Sequence, residues 1–417
     1  MPDILVDGKY ELSGDVYIQG SKNSVLPILA ASVLTYGVSV IENCPALSDV
    51  RASINILKYL GAKCSFEGNS LTIDSRNISD YKIPDNLMRE MRSSSLFLGA
   101  ILGRMGKAEI SSPGGCELGP RPIDLHIKAL SELGATVKHK GGNILLQSKN
   151  GLVGSEIHLA FPSVGATENI LLASVLADGI TVVTNAAKEP EIEDLADFLI
   201  SAGANIEGAG SDKIVIKGVR KLFGTRHKVI PDRIVAATYI SCVAATGGNI
   251  NLINAVPNHI RSVISAFEEA GCEFKERDNI LSVKANDRIN SISTVRTLTY
   301  PAFPTDAGPQ LISALSLSKG TTVFVENIFQ NRFRYIDELK RFGANIKVEG
   351  KVAVVEGVES LSGTECECTD LRGGAALVVA ALAANGTSKI RKTEHILRGY
   401  ENIVRDLSGL GARIKYI

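Results

Sequence analysis

The chain has 417 residues, with 45 Lys plus Arg, 45 Asp plus Glu and a formal net charge of zero. At roughly 150 residues per domain this length predicts two or three domains. The apolar share of 45% excludes general disorder. A neutral balance lacks the basic excess of nucleic-acid or membrane-surface proteins, and 5% aromatics with no Trp leave few platforms for base stacking.

Seven cysteines (Cys44, Cys64, Cys116, Cys242, Cys272, Cys366, Cys368) are odd in number and scattered. The N-terminal residues alternate polar and apolar, without the basic start and apolar run of a leader. The longest apolar stretches, such as residues 375–384, are about half the ~20 residues of a membrane span. These features predict a cytoplasmic protein with reduced thiols.

Along the chain, a glycine after an apolar helix end recurs at Gly61, Gly134, Gly203, Gly271, Gly343 and Gly411, at spacings of 73, 69, 68, 72 and 68. A second glycine precedes each, at Gly37, Gly106, Gly179, Gly247, Gly320 and Gly386. Two interleaved markers kept in phase define six repeats.

Each repeat opens with a short strand and a nearly all-apolar helix, from SVLPILAASVL in the first to AALVVAALAA in the last. A helix apolar on every side must be buried. An alternating strand follows, such as VSVIEN or TVFVEN. Next comes an amphipathic helix, with stripes Val50, Ile54, Leu57 in the first repeat and Ile260, Ile264, Phe267 in the fourth. A polar-tipped hairpin such as KCSFEGNSLTID closes the repeat.

The last repeat ends at ARIKYI without its second hairpin strand, and the N-terminal residues have the form of the missing piece. The expected domains are therefore 22–229, and 1–21 plus 230–417, with three repeats each.

One repeat breaks the pattern. Its marker glycines, Gly106 and Gly134, lie 28 residues apart, against 23 to 25 elsewhere. The extra length falls in SSPGGCELGPRP, a Gly/Pro-rich loop carrying Cys116 and Arg121. A loop inserted into one repeat of a scaffold is a candidate for function. The starts of the apolar helices are polar: Lys22 and Asn23; Arg92; Ser163; Asp232 and Arg233; Asp306; Asp370 and Arg372. Helix N-termini attract anions, so these starts predict contacts with phosphates and carboxylates.

These residues resemble the UDP-N-acetylglucosamine 1-carboxyvinyltransferase family of enolpyruvyl transferases. The resemblance runs the whole chain: GSKNSVLP at 20–27, EMRSS at 90–94, PGGCELGPRPIDLHI at 113–127, PSVGATEN at 162–169, PDRI at 231–234, FPTDAGPQ at 303–310, NRF at 331–333, TDLRGGAAL at 369–377 and RGYENI at 398–403. It implies a two-domain inside-out α/β barrel of six βαβαββ repeats. It also implies transfer of enolpyruvate from phosphoenolpyruvate to the 3′-hydroxyl of UDP-N-acetylglucosamine, by addition and elimination, with no cofactor and no metal.

Roles follow position by position from the resemblance. Cys116 matches the loop cysteine that protonates the methylene carbon and is the target of fosfomycin. A glycine-flanked thiol near cations has a lowered pKa, which suits that role. Lys22, Arg121 and Arg398 match cations that hold phosphate and carboxylate, for which a planar guanidinium offers a bidentate grip. Asp306 matches the general-base candidate, and Asn23 a contact to the tetrahedral intermediate. Arg92, Arg332, Asp370 and Arg372 match residues that support substrate and closure. Arg121, Pro122, Ile123, Asp124, Leu125, Ser163, Val164, Gly165, Asp306 and Ile328 match the sugar-nucleotide site. Partners beyond the two small-molecule substrates are not implied, whether nucleic acid or membrane.

One departure is Gln330, at a position the family often gives to Glu; an amide there keeps hydrogen bonding and loses a charge. Two alternatives stay open: a non-catalytic sugar-nucleotide-binding paralogue, and shikimate-phosphate transfer. The intact Lys22, Cys116, Asp306, Arg121 and Arg398 weigh against the first, and the Cys loop against the second. Asp232 suits either an N-cap or the site, and His126 either a helix-face or a proton role. Cys366 and Cys368 share a strand face and lack the second pair that a zinc site needs.

Overall fold

The computed structural model describes residues 2–90, 94–111, 123–286 and 288–417. These divide into two compact units. The split unit joins the N-terminal segment through Gln19 to Pro231–Ile417, and the other spans Gly20 to Ile230. The chain crosses between them after Gln19 and after Ile230.

Each unit is an inside-out α/β barrel, with helices at the centre and sheets around them. The split unit is centred on Arg233–Thr246, Gly308–Leu315 and Leu371–Ala383, which pack on one another. The 20–230 unit is centred in the same way on Lys22–Ala31, Phe97–Met105 and Val164–Ser174. Burial is complete along such helices: every residue from Ile234 to Ala245 is buried. Each unit has its own hydrophobic core.

The sheets repeat one pattern. Thr294–Arg296 runs parallel to Thr321–Val325, which pairs antiparallel with Val352–Glu356, which pairs antiparallel with Asn345–Glu349. Glu156–His158, Ile180–Thr184, Lys213–Lys217 and Asn205–Glu207 follow the same order. In the second repeat the sheet has three strands, and Lys82 bridges Glu109 in the parallel position of the fourth. The glycines ending the amphipathic helices all have positive φ, between +94° at Gly134 and +110° at Gly61. That left-handed stop is the physical basis of the repeat marker.

The N-terminal strand Ile4–Asp7 lies between Thr387–Arg391 and Arg413–Tyr416, antiparallel to both, and so completes the last repeat. Leu12–Tyr17 leads into helix Lys22–Ala31 yet pairs with Gly248–Ile253 of the split unit. Arg226–Lys228 leads into helix Arg233–Thr246 yet pairs with Val40–Glu42 of the 20–230 unit. Each crossing thus parts a strand from the helix that follows it. Gly248, opposite Leu12, has φ +112°, and a Cβ there would sit 2.0 Å from the Leu12 carbonyl oxygen, so only glycine fits.

One expected stripe is wider than its spacing alone suggests. In helix Ser48–Leu60 the inward face is Val50, Ser53, Ile56, Leu57 and Leu60, while Ile54 is half-buried. Ile54 still packs against the core, so the face holds the expected residues and widens to Ser53, whose hydroxyl donates to the Asp49 carbonyl at 3.1 Å. Among the described residues no helix is long and apolar enough to cross a membrane.

Candidate active-site residues

The described candidate residues form two groups, one in each unit. In the split unit, Asp306 lies in the 3-10 turn Thr305–Ala307, ahead of helix Gly308–Leu315. Its Oδ1 accepts from Arg332 Nη2 at 2.9 Å. Its Oδ2 accepts from Arg372 Nη2 at 3.1 Å and Nε at 3.2 Å. Both arginine side chains are buried, and Asp306 keeps 28% of its side chain exposed. Burial opposes the Arg372 charge, yet Asp306, Tyr400 and Asp232 outweigh it and hold the guanidinium above its ordinary pKa.

Neighbouring carboxylates have other tasks. Asp370 Oδ1 accepts from Arg372 N at 3.0 Å and Gly373 N at 3.1 Å, so it caps the helix that carries Arg372. Asp232 caps its own helix through Ile234 N at 2.8 Å and Val235 N at 3.0 Å. Buried Glu326 accepts from Ile328 N at 2.8 Å, Phe329 N at 3.0 Å and Thr305 Oγ1 at 2.9 Å. One carboxylate therefore ties the Ile328 turn to the residue before Asp306. Gln330 is exposed. Arg398 ends the 3-10 helix Thr393–Arg398 and is half-buried. Gln19 braces the residues after it, donating to the Gly399 carbonyl at 3.1 Å and accepting from Glu401 N at 2.9 Å.

In the 20–230 unit, helix Lys22–Ala31 starts at Ser21 with no side-chain cap. Lys22 Nζ meets Asp49 Oδ2 at 2.7 Å, and both side chains are buried. A buried ammonium needs such a partner, because leaving it unpaired costs several kcal/mol or more. Asn23 beside it is half-buried. Ile123 and Leu125 are half-buried, and Asp124 is exposed in the first turn of helix Asp124–Glu132. Ser163 caps Val164–Ser174, with Oγ accepting from Ala166 N at 3.3 Å; Val164 and Gly165 are half-buried. His126 brings these two helices together. A Cβ on Gly165 would lie 2.8 Å from His126 Cε1. Burial pushes the His126 imidazolium down to a pKa of about 4, so the ring is neutral near pH 7. Glu168, also buried, is pushed well above the ordinary carboxylate range by burial, with Glu191 and Glu189 adding like charge. Arg92, Cys116, Arg121 and Pro122 lie outside the described residues.

Five of the six described thiols are held protonated by burial, which does not suit nucleophilic work. Burial pushes Cys64 to about 11, and Cys272 and Cys366 to about 12. Among the described residues no group of three or more His, Cys, Asp or Glu is arranged to hold a metal ion.

The profile of the EPSP synthase family (3-phosphoshikimate 1-carboxyvinyltransferase) matches residues 6–407. The chain belongs to this family. It is 51% identical over 409 residues to "UDP-N-acetylglucosamine 1-carboxyvinyltransferase 2" of Caldanaerobacter subterraneus subsp. tengcongensis, covering 98% of each chain. It is 45% identical over 416 residues to the protein of the same name from Clostridium acetobutylicum, covering 100% of this chain and 99% of that one. Among solved structures, the enolpyruvyl transferase NikO from Streptomyces tendae superposes with a TM-score of 0.88 at 24% identity, covering 100% and 98% of the two chains. EPSP synthase from Acinetobacter baumannii gives 0.76 at 19% identity over the whole of both chains. These two likenesses support the fold alone. Family membership makes the protein a transferase.

Sequence reasoning passed over Asp49, Glu326, Gln19 and Asn169. Two of them left a signal. Glu326 continues the inward alternation of Thr322 and Phe324, and a carboxylate on a core face must be hydrogen-bonded. Glu168 and Asn169 are buried carboxyl and carboxamide groups inside a central helix, and buried polar groups must be hydrogen-bonded.

Proposed function

We propose that the protein transfers the enolpyruvyl group of phosphoenolpyruvate to the 3′-hydroxyl of UDP-N-acetylglucosamine and releases phosphate, the first committed step of peptidoglycan synthesis. The observation that carries this reading is Asp306, partly exposed and held by Arg332 and Arg372, in a chain half identical to a relative named for that reaction. In this reading the 3′-hydroxyl oxygen bonds C2 of phosphoenolpyruvate and gives its proton to Asp306, while the Cys116 thiol gives a proton to C3. The tetrahedral adduct then loses phosphate while a C3 proton returns to the Cys116 thiolate, which restores the double bond, and the proton held by Asp306 leaves with the phosphate.

Lys22, Arg121 and Arg398 hold the phosphate and carboxylate charges, and Asn23 meets the adduct. Arg332 and Arg372 set the orientation of Asp306. Arg92 and Asp370 support the closed state, Asp370 by capping the helix of Arg372. Ile123 to Leu125, Ser163 to Gly165 and Ile328 line the sugar-nucleotide site with Arg121 and Pro122. Both substrates are polar phosphate esters, which fits a cytoplasmic enzyme.

The test is phosphate release from phosphoenolpyruvate, with UDP-N-acetylglucosamine in one reaction and shikimate 3-phosphate in another. Release only with the sugar nucleotide is expected. Release only with shikimate 3-phosphate would move the protein to the sister activity, and release with neither would end the enzymatic reading. Fosfomycin is expected to add one covalent equivalent at Cys116, seen by intact mass and lost in Cys116→Ala.

A further inference from the structure

Asn169 sits in the buried helix Val164–Ser174, and its carboxamide touches three chain segments. Oδ1 accepts from the Gly99 backbone N–H at 2.7 Å. Nδ2 lies 3.0 Å from His126 Nδ1, 3.2 Å from the Ser95 carbonyl oxygen and 3.2 Å from the Gly165 carbonyl oxygen. The segments are Ser95 and Gly99, in the turn and first residues of helix Phe97–Met105, then the helix after the Cys116 loop, and the first turn of helix Val164–Ser174 at Gly165.

Hydrogen-bond logic orients the whole cluster. A backbone N–H can only donate, so the atom facing Gly99 must be the amide oxygen. The atom facing His126 is then the amide nitrogen, which can only donate. His126 Nδ1 must therefore accept, and in a neutral ring the proton sits on Nε2. That nitrogen lies beside Gly165, 3.2 Å from where a Cβ would project. An N–H donor is thus held next to Gly165.

We propose that Asn169 is a positioning residue for the sugar-nucleotide site, acting by fixing His126 as its Nε2–H tautomer and by holding the Asp124–Leu125 and Ser163–Gly165 segments in register. This rests on the reading that those segments bind UDP-N-acetylglucosamine. Asn169 touches no reacting atom in this scheme. Its loss should weaken sugar-nucleotide recognition and spare the grip on phosphoenolpyruvate.

Asn169→Asp is the incisive variant, since its carboxylate still accepts from Gly99 but can no longer donate to Nδ1. Long-range proton–nitrogen spectra of the native protein, with the His126 signal assigned by its absence in His126→Gln, should show the Nε2–H form. In Asn169→Asp the Nδ1 proton should appear. KM for UDP-N-acetylglucosamine should rise on the order of tenfold, the equivalent of one buried hydrogen bond, with KM for phosphoenolpyruvate changing much less. An Nδ1–H tautomer in the native protein overturns the proposal even if the variant does not fold. Equal rises in both KM values, or none, in a folded variant also overturn it. If the native protein neither binds nor turns over UDP-N-acetylglucosamine, the underlying functional reading fails instead.

Discussion

Asp232 and Asp306 occupy equivalent positions at the starts of two buried helices of one unit, yet their side chains do different work. Asp232 turns back on its helix and accepts from Ile234 N and Val235 N. Asp306 is set off by a 3-10 turn, the helix begins at Gly308 with Pro309 in its first turn, and the carboxylate turns to Arg332 and Arg372. Proline supplies no N–H to cap, so that start asks less of a capping side chain. The other unit repeats the contrast: Ser163 caps its helix, whereas the start at Lys22 has no side-chain cap. In the split unit the start without a side-chain cap follows Asp306, and in the other unit the starts of helices Lys22–Ala31 and Phe97–Met105 both lack one. Three of the six central helices are capped by a side chain and three are not, and Lys22 and Asp306 stand at two of the uncapped starts.

The sharpest way to break this comparison is to exchange the two aspartates' roles. Asp306→Asn should cut kcat by on the order of a hundredfold or more, the scale of a lost general base. Its amide nitrogen would also face a guanidinium donor. Asp232→Ala should leave the chemistry far less affected and cost about 1 kcal/mol of stability, as a lost N-cap does. Steady-state rates and thermal midpoints of the two variants separate the outcomes, and equal kcat losses would dissolve the distinction.

Gly165→Ala comes next in expected size. Its Cβ would meet the His126 ring at 2.8 Å and push the two helices apart, so KM for UDP-N-acetylglucosamine should rise about tenfold. A pH series gives a smaller and cleaner signal. His126 has a folded-state pKa of about 4, below its ordinary value of about 6.5. The unfolded chain therefore binds the extra proton first, and stability falls as pH drops from about 6.5 to about 4. The loss is at most about 3 kcal/mol, and His126→Gln should flatten that part of the curve. Smallest is Ser163→Ala, with about 1 kcal/mol of stability lost with the cap, read from the thermal midpoint.

The repeat frame was legible in the chain because its markers are local. A glycine forced to positive φ at each amphipathic helix end, and a helix apolar all round, show in any window of a few dozen residues. The N-terminal completion of the last repeat was legible too, since Arg413–Tyr416 visibly lacked a partner. Candidate residues were recognisable where they broke a pattern or matched a family motif, as Lys22, Asp306 and Arg372 did. Asp49 was hidden because an acid in the first turn of a helix already has an ordinary explanation in the helix dipole.

By itself the sequence determined the number of repeats, the order of elements within each, and which residue types open the buried helices. Those features follow from backbone preference and hydrophobic period, which act over a few residues. The tertiary structure decided what each polar group at a helix start is bonded to. It made Asp370 a cap and Asp306 the partner of two guanidiniums, and it paired Lys22 with Asp49 and His126 with Asn169. Partners such as Asp306 and Arg372, 66 positions apart in the chain, meet only when packed helices bring them together. In a buried, low-dielectric setting, that meeting decides which charge and which tautomer is stable.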